Sequence, residues 1–188
     1  MQVNYNTSIK LISACGKLQQ FIEVFKLFTR DEYDQQLFDA VLFTETRQYD
    51  VKTITTDVIK AVSKEQTAIT VKAKGPYGGF NCADQDQILL FKELSECLPE
   101  IEFIGTVIGG TSYTEEELKC HLKQGQLFST FYFNNWNEHE TYVVFNIYDP
   151  KEKRNVFHRS APVKKGKLDV YLPPEYDDFL MNLTGVEI

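Results

Sequence analysis

Two spacings of apolar residues alternate along this chain. In KLQQFIEVFKLFTR, residues 17–30, Leu18, Phe21, Ile22, Phe25 and Phe28 recur at helical spacing and form one apolar stripe. Ahead of it SIKLISACG alternates and predicts a strand that ends at Gly16. The segment 49–75, YDVKTITTDVIKAVSKEQTAITVKAKG, is rich in Val, Ile and Thr, and SKEQ divides two alternating runs as the loop of a hairpin would. ADQDQILLFKELSECLP predicts a second helix, with Asp84 or Asp86 at its start and Pro99 after its last periodic residue. EIEFIGTVIGG predicts a strand that closes on a glycine pair. Between the first helix and residue 49 the pattern is divided: Leu37, Ala40 and Val41 suit a helix, while AVLFTE suits a short strand.

In SYTEEELKCHLKQG, Thr114 and Glu117 have the spacing of a capping box and Gly125 that of a stop, so a short helix is expected. From Gln126 the chain turns to strands. QLFSTFYF, TYVVFNIYD, NVFHRSAPV and KLDVYLP read as strands, with NNWNEHE, PKEKR and KKGK as their turns. A last short helix in PEYDDFLMNLTGVEI would cover an edge. The order strand, helix, strand, strand, helix, strand is that of a ferredoxin-like βαββαβ unit, an α+β arrangement with two helices on one face of an antiparallel sheet. The expected organisation is such a module over residues 1–125. A β-rich extension over 126–188, an antiparallel meander, packs on the same sheet or continues it as part of one body.

Composition narrows the class. Of 188 residues, 43% are hydrophobic and 25% charged, the balance of an ordinary globular domain. Phe and Tyr number 14 and 10 against one Trp, which suits pleated, half-buried surfaces. The first residues lack a basic stretch followed by an apolar run, and no window approaches the roughly 20 apolar residues of a membrane span. Cys15, Cys82, Cys97 and Cys120 are scattered, with no CxxC, so reduced thiols in a cytoplasmic protein are expected.

The net charge of −7 speaks against general nucleic-acid binding. It hides a basic segment, however: residues 151–167 hold seven Lys or Arg and one Glu, a local +6 that leaves −13 on the rest.

Candidate chemistry is sparse. GPYGGF, residues 75–80, lies between a strand and a helix, but no GxGxxG or GK[ST] follows. Asp84 and Asp86 would repel a phosphate at that point. Those aspartates suit helix capping, and the glycines a wide turn anchored by Tyr77 and Phe80. Cys120 and His121 are adjacent and so point apart on a helix, which leaves no thiol–base pair. The spacings of His121, His139 and His158 match no zinc site, and neither metal nor cofactor is expected.

Two surface features remain. Trp136 stands in a polar turn, where a large ring suits an interface. Lys151, Lys153, Arg154, Arg159, Lys164, Lys165 and Lys167 flank one expected strand and would gather at one end of a hairpin. Two readings follow. The first is a non-enzymatic protein that binds another protein, a basic one by charge complementarity. Trp136, Tyr77 and Phe80 would make the contact, with the acidic TEEEL and EYDD clusters beside them. The second is nucleic-acid or nucleotide binding through the sheet face and those basic residues, although no RNP1 pattern is present. An enzyme built from scattered residues is a third class.

Overall fold

The computed structural model describes residues 4–12, 17–28, 39–44, 47–65, 69–76, 89–165 and 167–176. The chain begins with β1 (Asn4–Leu11), α1 (Leu18–Phe28), β2 (Asp39–Phe43), β3 (Gln48–Asp50) and α2 (Thr56–Glu65). It continues through β4 (Ile69–Pro76), α3 (Leu89–Cys97) and β5 (Phe103–Gly110). Four long strands and a short one follow: β6 (Thr114–Lys123), β7 (Gln126–Asn135), β8 (Glu140–Asp149), β9 (Arg154–Lys164) and the short β10 (Lys167–Leu168). A 3-10 turn at Pro174–Tyr176 ends the described chain. Among these residues one sheet holds ten strands in the order β10-β9-β8-β7-β6-β5-β1-β4-β2-β3, with every neighbouring pair antiparallel.

This architecture corrects the ferredoxin-like α+β expectation, and two segments account for the difference. Residues 56–65 are helical where a strand was expected. Thr55 caps α2, its hydroxyl accepting from the Val58 amide at 3.4 Å, and Asp57 and Lys64 sit at the ends the helix dipole favours. Ile59 and Val62 then meet Ile54 in the core, a gain that outweighs the weak strand preference of Val, Ile and Thr. The converse occurs at 114–123, where the capping box is overridden. Glu116, Leu118, Cys120 and Leu122 alternate onto one buried face, and β6 pairs with β5 on one side and β7 on the other. With a strand there, the sheet runs unbroken from its N-terminal to its C-terminal half. Position 125 falls in the two-residue turn Gln124–Gly125, whose φ values of 54° and 74° are those of a tight antiparallel hairpin.

Cover of the sheet changes sides along its width. The helices lie on one face, where Leu18, Phe21, Ile59, Phe91 and Leu94 pack on Ile9, Val71, Phe103, Leu118 and Leu127. Phe91 sits directly over Gly105, so that any side chain at 105 would collide with its ring. On the opposite face a second core forms from Phe128, Val143, Phe145, Ile147 and Ala161, closed by Leu168 and Tyr176. Neighbouring residues of a strand point to opposite faces, so Leu127 and Phe128 serve different cores. The two cores overlap at β7 and β8, where Leu127–Phe131 and Phe145–Tyr148 are buried on both sides. That is why these strands read as almost continuous apolar runs.

Tyr176 closes the second core. Its ring meets Phe128, Phe145 and Phe157 at centroid distances of 5.7, 5.8 and 6.0 Å, and its hydroxyl donates to the backbone carbonyls of Ser129 and Asn146. Among the described residues the half of that face formed by β1 and β5 has no such cover, and Ile104 and Ile108 are exposed there. Among the described residues no helix is long and apolar enough to cross a membrane.

Candidate functional site

Turns β5–β6, β7–β8 and β9–β10 share one end of the sheet, and the first two join there. Gly110 opens the β5–β6 turn with φ +139°, a conformation that glycine tolerates, and a Cβ at 110 would strike the Thr114 carbonyl. The Thr111 hydroxyl accepts from the amides of Tyr113 and Thr114, both at 3.1 Å, while the Thr111 amide donates to the Thr114 carbonyl at 3.0 Å. Across from it, the Asn135 side-chain oxygen accepts from the amides of Asn137 and Glu138 at 3.1 and 3.3 Å. Side-chain oxygens thus hold both turns in shape.

The Trp136 amide donates to the Tyr113 carbonyl at 3.0 Å, which ties the two turns together. Both aromatic residues stay in solvent, Trp136 at 50% and Tyr113 at 57% exposure. Glu115, Glu138 and Glu140 are exposed around them. The effect of that charge reaches the tyrosines below. Burial first, then Glu115, raises the Tyr132 phenol above its ordinary value, and Tyr142 is raised by burial, then by Glu140 and Glu116. Phe131, Phe133 and Tyr142 stack beneath the tip on the helix side, with Phe133 and Tyr142 centroids 5.1 Å apart. The end is therefore a braced platform with two outward rings and an acidic rim.

The opposite end carries an ionic clamp. Glu96 of α3 accepts the Tyr148 hydroxyl on one oxygen and the Lys153 ammonium, at 2.8 Å, on the other. Lys92 lies 5.1 Å over the Tyr148 ring. Hydrogen bonds from Lys153 and then Tyr148 hold the Glu96 carboxyl below its ordinary value. Burial and then Glu96 push the Tyr148 phenol up to about 12. A cleft of about 530 Å³ opens at this end, with Glu100, Glu102, Leu122 and Lys151 among its walls. Gly75 and Pro76 end β4 at the other end of the sheet, opposite Tyr5 and Asn4, and residues 77–80 lie outside the described residues.

The expected site residues fall as follows. Trp136 is on the platform. Tyr77, Phe80, Asp84 and Asp86 lie outside the described residues. Lys151, Lys153 and Arg154 cluster at the β8–β9 turn, with Lys153 on Glu96 and Arg154 3.5 Å from Glu152. Lys164, Lys165 and Lys167 gather at the β9–β10 turn, and Arg159 is exposed between the two groups. The basic residues thus occupy both ends of an eleven-residue strand rather than one.

Cys120 and His121 point to opposite faces because they sit on a strand. Cys120 is fully buried, and His121 lies 3.0 Å from Glu102. His158 meets the Asn146 side-chain oxygen at 2.6 Å, and His139 is exposed in a turn with φ 55°. Among the described residues no three His, Cys, Asp or Glu side chains gather as a metal site requires.

Tyr113 escaped the reading of the sequence. Its signal is the one that marked Trp136, a large ring in a polar turn, and the helix expected at 114–123 concealed it. Compared with known proteins, the chain matches no family model, no curated protein and no solved structure.

Proposed function

We propose that this protein acts by binding another protein, with Tyr113 and Trp136 as the anchors of the contact. The observation that carries the reading is that two exposed aromatic residues sit on two braced turns joined by a backbone hydrogen bond between them. Trp and Tyr are the residues that most often dominate binding energy, and a platform already shaped before contact loses little entropy on binding. Exposed Glu115, Glu138 and Glu140 favour a basic partner surface and hasten the encounter. A cytosolic setting suits the thiols, since neither Cys97 nor Cys120 is in a disulfide.

Nucleic-acid binding has less support. Lys153 and Arg154 are each near a carboxylate, and the sheet face of β5 offers exposed Ile104 and Ile108 where stacking rings would be needed. The test is capture from host lysate by the tagged full chain, with and without nuclease, alongside Trp136→Ala, Tyr113→Ala and the pair Lys164→Ala/Lys165→Ala. A stoichiometric protein that survives nuclease and is lost with either aromatic variant supports the reading. Loss on nuclease treatment, or on neutralising the lysines while Trp136→Ala still binds, defeats it.

A further inference from the structure

The two edges of the sheet are built differently. β3 ends one side with three residues. On the other side β10 pairs with β9 only at Val163 and Lys164, and the chain then leaves the edge, Val170 and Leu172 packing onto the second core. Among the described residues, positions 154–162 of β9 therefore face outward with no strand beside them, a run of about 30 Å at ~3.3 Å per residue. A long bare edge is a template for strand addition.

The composition of this edge decides what can add to it. Arg154, His158, Arg159 and Lys164 are all exposed on β9, and no acidic residue occurs within the strand. A second copy paired antiparallel along β9 would set cation against cation, which is unfavourable across a strand pair. Val156 adds to the discrimination. The register slips where Ile147 pairs with Phe157 and Tyr148 with Asn155, so Val156 is the extra residue of a bulge, and a bulge twists an edge away from open-ended association. The bulge on one side and Pro162, which has no N–H, on the other leave residues 157–161 as the stretch able to pair, and Arg159 at its centre favours an opposite charge.

We propose that the outer edge of β9 docks an acidic, extended peptide segment of a partner protein by strand addition, at a surface separate from the aromatic platform. Main-chain hydrogen bonds to residues 157–161 give the affinity, and a carboxylate of the peptide meets Arg159.

The test uses the full chain and a fluorescein-labelled octapeptide of alternating Glu and Val, read by fluorescence anisotropy at low salt. Binding is expected, weakening as salt rises. N-methylation of the alternate amides on the peptide's pairing edge should abolish it, while methylation of the other set should spare it. Arg159→Glu should weaken it by about tenfold or more. Trp136→Ala should leave it unchanged, which separates this surface from the platform. Amide exchange within 157–161 should slow in the complex. Equal binding of the two methylated peptides would reduce the effect to charge alone and overturn the proposal. So would absence of binding to the wild type, or stoichiometric displacement of the peptide by a single-stranded oligonucleotide. The methylated pair is read on the wild-type protein, so misfolding of the charge-reversed variant leaves the test intact.

Discussion

Tyr148 donates its hydroxyl to Glu96, fifty-two positions earlier in the chain. This bond, with the Lys153 ammonium on the other carboxylate oxygen, fastens α3 to the β8–β9 hairpin. It joins the helix-covered half of the sheet to the half that carries its own second core.

Both groups of this clamp should register in stability against pH. The Glu96 carboxyl is held low in the folded state, so its contribution is present above the unfolded value near 4.5 and fades as pH falls through the lower folded value. The Tyr148 phenol is raised to about 12, so its contribution is full below about 10 and is lost as pH climbs toward 12. Glu96→Gln should cost about 1 kcal/mol at neutral pH, as for a partly exposed bond network, and flatten the acid limb. Tyr148→Phe should flatten the alkaline limb. Urea melts at stepped pH measure both, and unchanged limbs in the variants would refute the assignment.

Tyr176 should matter more than any other described residue beyond β10. Tyr176→Phe leaves the ring among Phe128, Phe145 and Phe157 but removes the hydroxyl from the carbonyls of Ser129 and Asn146. A loss of roughly 1–2 kcal/mol follows. Tyr176→Ala empties the site as well and should cost roughly 3–5 kcal/mol. Chemical denaturation of both variants checks the ordering.

Gly110 ties the fold to the platform. Gly110→Ala introduces a side chain at φ +139° and against the Thr114 carbonyl, so the turn carrying Tyr113 must shift. Partner capture should fall as it does in Tyr113→Ala, while far-UV circular dichroism keeps its β-sheet form. Gly105→Ala is the contrast. It displaces buried Phe91, should cost roughly 1–3 kcal/mol, and should leave capture by the folded protein intact.

His139 holds φ 55° in the β7–β8 turn without being glycine. A left-handed conformation costs an ordinary residue about 1–2 kcal/mol, and the greater freedom of glycine in the unfolded chain offsets part of the relief. His139→Gly should therefore raise stability by roughly 0.5–1 kcal/mol. A lower thermal midpoint would show that the imidazole makes a contact worth more than the strain.

Local spacing by itself determined α1, where Leu18, Phe21 and Ile22 form a buried stripe, and the strands β7, β8 and β9. It also marked Trp136, because a large ring in a polar turn is conspicuous wherever the turn ends up. It failed where two periods coexist in one segment. Residues 56–65 combine strand-favouring residues with an i, i+3 apolar pair, Ile59 and Val62, and residues 114–123 combine a capping box with strict alternation. Only the tertiary structure settled those cases, since a strand gains its stability from partners distant in the chain, here β5 and β7 on either side of β6. The same holds for the meeting of Tyr113 with Trp136, the hold of Glu96 on Tyr148 and the bare edge of β9. Each depends on register between strands, a non-local quantity that hydrogen bonding and burial fix together once the whole sheet has formed.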